Sequence, residues 1–286
     1  MTAQAFDSRQ YKERQLQEWN AVAAAWRKWW EVIEAGAQHV SDRLVELAEV
    51  QPGQRVLDVA TGIGEPAVSA ARRVGPSGHV TATDHSPQML EIARERAAAL
   101  GLQNIEFKEM DAERLEVPEG SFDAALCRWG LMFLPDLPAA LDRIGRSLSP
   151  GGRMAAAVWS VPPKTPLVSL AMGVIQKMFQ PPPPPAGAPG PFALADTSIL
   201  EKGLADAGFT DIRIERMMVT IEFPSAEGYT DFIRDIAPPV RAMLATQPEG
   251  KQAEAWRAIA DAAAQFAGAD GVVRLPSETI LVAARR

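Results

Sequence analysis

Between residues 53 and 159, short β-branched and apolar runs alternate with longer segments whose apolar residues recur every three or four positions. Such alternation is how a parallel sheet built from strand–helix–strand units reads. "QRVLDVA" forms a first strand, two glycines follow, and "EPAVSAARRV" reads as a helix with Pro66 in its first turn, where a missing N–H does no harm. "HVTATD" is a second strand. It leads into "SPQMLEIARERAAALG", an amphipathic helix with Ser86 as N-cap, Pro87 at its first position and Gly101 at its stop. "NIEFKEMD" and "FDAALCRW" are the third and fourth strands, "PDLPAALDRIGRSL" is a helix, and "SPGGRMAAAVWS" turns into a fifth strand.

The regularity then stops at "VPPKTP" and "PPPPPAGAPGP", a stiff polyproline crossing segment. After it, "DTSILEKGLADAGF" reads as a capped helix, "DIRIERMMVTIEF" as a strand, and "SETILVAARR" as the last strand. The expected fold is α/β, a doubly wound, Rossmann-like, mostly parallel seven-stranded sheet with helical caps. Its expected divisions are an N-terminal helical cap (1–50), a core (51–160), a proline-rich lid segment (161–195), a continuation of the core (196–223), a helical lid (224–276) and a final core strand (277–286).

Composition narrows the function. At 286 residues, with 47% hydrophobic and 23% charged side chains, the chain is long and apolar enough for a sizeable globular core. A net charge of −7 without a dense basic run argues against nucleic acid or anionic lipid as partners. The start lacks the basic-then-apolar layout of a signal peptide and no apolar run is long enough to span a bilayer, so a cytoplasmic location is expected. Cys127 stands alone, and His39, His79 and His85 show no metal-ligand spacing with it, so no metal is expected.

The chemistry gathers at the strand ends. Gly62-Ile63-Gly64, with Ala67 three places on, fits the G-x-G-x-x-[GA] turn that lets a ligand approach the backbone at a helix N-terminus. Asp84, at the end of the second strand, stands where a dinucleotide site places its ribose acid. However, Asp58 in the first strand and Glu65 after the glycines would repel a pyrophosphate and welcome a cation. Asp111 closes the third strand, so three successive strands carry an acid at the ligand-binding edge, a poor fit to a dinucleotide.

The ordered segments "VLDVATGIGE", "VTATDHSPQML", "IEFKEMDAERL", "FDAALCRWGLMFLPD" and "LSPGGRMAAAVW" resemble the class I S-adenosylmethionine-dependent methyltransferases, most closely the group with the quinone-biosynthesis C-methyltransferases and small-molecule methyltransferases. The resemblance covers roughly residues 40–160 and does not reach the caps. It implies S-adenosyl-L-methionine as cofactor. Asp58, Ala60, Thr61, Gly62 and Gly64 match the family's D-x-G-x-G-x-G turn, with Ala60 where the first glycine is expected. By the same resemblance Asp84 binds both ribose hydroxyls, and His85 takes the place of a residue packed on adenine. Met89 belongs to the same cofactor surface. Asp111 takes the adenine amino group with the Ala112 N–H beside it, and Cys127 and Arg128 end the strand that passes the methionine portion. From the residues themselves, Cys127 reads as a buried filler, and Arg128 either as a core-edge ion pair or as a carboxylate contact.

Methyl transfer from a sulfonium is an in-line displacement that needs alignment and dryness more than a side-chain nucleophile. No catalytic residue is evident; His39, Tyr11 and Tyr229, all in the caps, are weak candidates for a base. In "EWNAVAAAWRKWW", Trp19, Trp26 and Trp30 either pack the first helix onto the sheet or form an aromatic wall for an acceptor, and Trp129 joins them as a substrate-binding candidate. The expected function is methyl transfer to oxygen or carbon of a small, largely apolar, natural-product or quinone-like acceptor. The alternatives are a methyltransferase-fold enzyme that cyclises or isomerises without methyl transfer, and a nicotinamide-dependent reductase. The acceptor's identity and the oligomeric state stay open.

Overall fold

The structure, a computed structural model, describes residues 6–185 and 187–286. Residues 1–5, the start of the expected N-terminal cap, and Ala186 of the proline-rich segment lie outside the described residues. Seven strands form one sheet in the order β3-β2-β1-β4-β5-β7-β6. They are β1 (Arg55–Val59), β2 (His79–Asp84), β3 (Ile105–Glu109), β4 (Phe122–Arg128), β5 (Leu148–Trp159), β6 (Thr210–Phe223) and β7 (Val273–Arg285). The first five are parallel, and β7 runs antiparallel to both β5 and β6. Strand order reverses between β1 and β4, and an open α/β sheet binds ligands in the crevice at that switch point.

Local chemistry explains most elements. β1 and β4 lie in the middle of the sheet and are buried almost throughout, hence their continuous apolar sequences. The helices α2 (Ala67–Val74), α3 (Pro87–Ala99) and α4 (Leu137–Ser147) connect successive parallel strands. Ser86 caps α3 by accepting the Met89 N–H at 3.2 Å, and Asp136 caps α4 through the Ala139 N–H at 3.0 Å. Later come α5 (Pro166–Phe179), α6 (Thr197–Asp206), α7 (Ala226–Ile236), α8 (Pro238–Ala245) and α9 (Glu249–Ala264). The α5 helix departs from the expected stiff crossing segment. Pro166 sits in its first turn, where no N–H is needed, and the proline run begins only at Pro181, beyond the left-handed Gln180 that ends the helix.

The first helix, α1 (Ser8–Leu47), has 40 residues and is about 60 Å long at 1.5 Å per residue. It is capped by Asp7, which accepts the Arg9 and Gln10 N–H groups. Its second half belongs to the core: Ile33, Ala37, Val40, Leu44 and Val45 are buried with the sheet. Gly36 lies so close to β6 that a Cβ there would stand 2.1 Å from the Thr220 carbonyl oxygen. The first half runs on across the sheet edge that carries the acids. No helix among the described residues is long and apolar enough to cross a membrane.

Candidate active site

The loop between β1 and α2 makes the floor of the crevice. Ala60, Gly62 and Gly64 all have positive φ, at 57°, 55° and 106°. Glycine reaches this region freely, but alanine is strained there. The methyl of Ala60 has room because its neighbour is Gly130: a Cβ on Gly130 would lie 2.6 Å from that of Ala60 and 2.8 Å from the Cys127 sulfur. The departure from the expected glycine is thus met by a missing side chain across the crevice. Asp84 pins the turn, its Oδ2 accepting the Gly62 N–H and its Oδ1 the Ser86 N–H, both at 2.8 Å. Burial pushes its carboxyl above the usual range, against the pull of these N–H donors and His85.

Beneath the turn lies Asp58, with no exposed surface. Neither carboxylate oxygen has a hydrogen-bond partner, and the Thr61 hydroxyl beside it is unpartnered too. Burial pushes Asp58 up to about 8, helped by Glu65, although the nearby Thr61 hydroxyl, Ala67 N–H and Arg128 act the other way. Among the described residues the remaining buried, unpartnered side-chain atoms are Trp26 Nε1 and Arg96 Nε. Both belong to the same place, since Trp26 packs on the cluster containing Ile63 and Met89, and Arg96 donates to the Ile63 carbonyl at 3.2 Å. Buried polar groups are nearly always paired, so a concentration of orphans at a glycine turn marks a place for a polar ligand.

The long helix supplies the other wall. Lys12 forms ion pairs with Asp111 and with Glu113, the latter at 2.5 Å. Asn20 accepts the Ser86 hydroxyl at 2.6 Å. Trp19 meets Phe133 edge to face at 5.5 Å and Trp26 at 6.2 Å, while Trp30 lies under the Arg96 guanidinium, 4.2 Å from its ring centre. Glu34 grips Arg128 with both oxygens, at 2.5 and 3.0 Å, and Ser41 adds a third acceptor at 2.9 Å. Burial opposes the charge on Glu34, yet Arg128 outweighs it and holds the carboxyl below its ordinary value. Of the two sequence readings of Arg128, the ion pair is the one observed.

The structure gathers Asp58, Ala60, Thr61, Gly62, Gly64, Asp84, His85 and Met89 around the β1–α2 turn, with Trp19, Trp26 and Trp30 of α1 packed against Ile63 and Met89. Met89 is buried between the turn and α1. Asp111 caps a short 3-10 turn through the Glu113 N–H at 3.0 Å, and Ala112, the first residue of that turn, is buried. Trp129 stands apart at the end of β4, stacked on Trp159 at 4.3 Å and 14°, with its indole N–H donated to Thr279 at 3.0 Å. Its φ of 59° is unusual for so large a side chain, and this stack and bond hold it there. Cys127 is fully buried and burial pushes its thiol up to about 12, which suits a filler and not a nucleophile.

The weak base candidates do not converge. The His39 Nε2 lies 2.9 Å from the Met218 carbonyl oxygen on β6. Tyr229 is completely buried, donates to the Leu167 carbonyl at 3.2 Å, and has its hydroxyl pKa raised by burial. Tyr11, near the start of α1, is pushed up to about 12 by burial. Among the described residues, no three His, Cys, Asp or Glu side chains are grouped to hold a metal. Sequence reasoning missed Lys12, Glu34, Arg96 and Gly130. Glu34, four residues beyond Trp30, and Lys12, seven before Trp19, had a readable signal in the tryptophan stripe, while Arg96 and Gly130 had none.

Comparison with known proteins agrees with this geometry. Residues 56–152 match the family described as "Methyltransferase domain". The chain is 35% identical over 164 residues to the ubiquinone/menaquinone biosynthesis C-methyltransferase UbiE of Pseudomonas putida (strain F1), a match covering 57% of this chain and 64% of that protein. It is 42% identical over 113 residues to the aklanonic acid methyltransferase DauC of Streptomyces sp. (strain C5), covering 40% of this chain and 51% of that one. The chain thus spans less than two thirds of the length of either relative. Its fold is similar to that of Haemonchus contortus phosphoethanolamine N-methyltransferase 2, solved in complex with S-adenosyl-L-methionine, with a TM-score of 0.55, 20% identity, and coverage of 89% of this chain and 56% of that one.

Proposed function

We propose, from the premise that this chain carries a class I S-adenosylmethionine-dependent methyltransferase domain, that it methylates oxygen or carbon of a small, flat, largely apolar acceptor. The observation that carries this reading is the unpartnered Asp58 carboxylate beneath a glycine turn whose backbone is pinned by Asp84. A bound donor brings an electrophilic methyl on a sulfonium and an ammonium at its amino-acid end. Asp58 and Thr61 offer acceptors suited to that ammonium. Each Asp84 oxygen, already accepting one backbone N–H, retains a lone pair for a ribose hydroxyl. Asp111 offers the same to an adenine amino group, in competition with Lys12. An ammonium entering beside Asp58 and Glu65 would draw their carboxyls into the charged form, which a pyrophosphate would not, and this argues against the nicotinamide reading.

The acceptor side is aromatic. Trp19 of α1 meets Phe133, just past β4, edge to face, Trp129 at the end of β4 stacks on the buried Trp159, and the two relatives are named for quinone biosynthesis and for aklanonic acid. With Tyr229 and His39 engaged elsewhere, the chain's part in the reaction is to align the reactants and exclude water.

Titration with S-adenosylhomocysteine tests the reading. The chain should bind it in preference to NADH, and Asp84→Ala should weaken binding by about 1.5–3 kcal/mol, the worth of hydrogen bonds to a charged group. Unchanged affinity in the variant would show the assignment to be wrong. With an accepted quinone-like substrate, product and S-adenosylhomocysteine should appear in equal amounts; product without it would establish the cyclisation or isomerisation reading instead.

A further inference from the structure

The glycine turn is closed by backbone bonds, from the Thr61 N–H to the Thr83 carbonyl and from the Gly64 N–H to the Thr61 carbonyl, both at 2.9 Å, and side chains fix further points of it. Gly62 and Gly64 bring conformational freedom, and Ala60 is strained in the same loop. Asp84 fixes one point, the Gly62 N–H. A further point, the Ile63 carbonyl, is held from the other side by Arg96, whose Nε is one of the unpartnered atoms at this turn. Arg96, in the last turn of α3, donates from Nη1 to the carbonyl of Ile63, the residue between the two glycines, at 3.2 Å. Its Nη2 reaches the Glu65 carboxylate, just past the turn, at 3.4 Å. The guanidinium carbon lies over the ring of Trp30 of α1, 4.2 Å from its centre. The side chain is 9% exposed, so these contacts are shielded from water.

One planar group therefore ties together the floor of the crevice, the helix behind it and the wall across it. We infer that Arg96 is a positioning residue for the donor: it holds the Ile63 carbonyl and Trp30 in place, so that the turn and α1 together present a preformed cradle. This inference rests on the donor reading above. The role needs the fork and the flat face of arginine, not charge alone, because lysine offers a point charge that cannot bond two acceptors in a plane while stacking on an indole. Glu65 makes the arrangement stable: buried, and bonded by the Ser69 hydroxyl at 2.8 Å, it supplies the counter-charge that a buried guanidinium requires.

The experiment compares the full chain with Arg96→Met, Arg96→Lys and Tyr229→Phe, the last being a perturbation away from the turn. S-adenosylhomocysteine affinity is read by calorimetry, and donor KM and kcat are read with an accepted quinone-like substrate. Loss of a charge-assisted bond to the turn predicts a rise of roughly ten- to a hundred-fold in Kd and donor KM for Arg96→Met. Arg96→Lys should fall between it and the wild type, kcat at saturating donor should stay within about twofold, and Tyr229→Phe should bind normally. If Arg96→Met does not fold, the Arg96→Lys protein decides alone. Wild-type affinity in both Arg96 variants, an equal loss in Tyr229→Phe, or a fall in kcat with unchanged KM would each overturn the positioning role. Failure of the wild type itself to bind S-adenosylhomocysteine would instead overturn the donor reading.

Discussion

Asp58→Asn separates the stability of the fold from the purpose of the site. In the folded chain the Asp58 carboxyl keeps its proton up to about pH 8, whereas its ordinary value is 3.8. Between those limits the folded state binds one proton more than the unfolded state, so stability falls as pH rises, by about 1.4 kcal/mol for each pH unit. Below the lower limit both states are protonated, and above the upper limit both are ionised, so the slope is confined to that window. From pH 5 to pH 7 the wild type should lose about 3 kcal/mol relative to Asp58→Asn, whose amide does not titrate. The assay is urea unfolding of both proteins at pH 5, 6 and 7 without ligand. Glu65 and Asp84, also raised by burial, titrate in both proteins and largely cancel in the difference. Parallel stability curves would refute the reasoning, since they would mean that water or an unseen partner keeps Asp58 charged. The variant should also bind S-adenosylhomocysteine more weakly, because an amide cannot release a proton and meet the ligand's ammonium with a charge.

Three further outcomes follow from the packing. Gly130→Ala should destabilise the fold by about 1–3 kcal/mol, as overpacking does. Ala60→Gly should restore part of that loss, because it removes the clash with the Ala60 methyl and leaves the one with the Cys127 sulfur, so strictly additive effects in a double-mutant cycle would contradict the pairing. Gly36→Ala should force α1 away from the Thr220 carbonyl, lowering the melting temperature and hastening proteolysis of α1; an unchanged protease pattern would mean that the helix docks elsewhere. Tyr229→Phe should cost about 1 kcal/mol of stability for the lost bond to Leu167 and leave turnover intact, whereas loss of turnover in a folded protein would make the tyrosine catalytic after all.

The seven strands, the helices between the parallel strands, and the Ser86 cap were legible in the chain because each depends on residues a few positions apart. So did the glycine turn and the acids at the ends of β2 and β3, since periodicity and turn chemistry are local. The α5 helix was obscured by prolines on both sides of it, which read as a continuous breaker although none lies inside the helix beyond its first turn.

What only the tertiary structure decided are pairings between distant segments. Glu34 and Arg128 are 94 residues apart and meet because α1 crosses the sheet edge at β4. The same crossing sets Lys12 on Asp111 and Trp30 on Arg96. The Ala60 methyl fits because Gly130 lies opposite it, and Asp58 goes unpartnered because packing buries it while the nearby Thr61 hydroxyl and Ala67 N–H stay outside bonding geometry. Local sequence fixes the direction and cap of an element, since these are settled by its own hydrogen bonds. Which charge a buried carboxylate meets is settled by how the elements pack, and the folded chain alone contains that information.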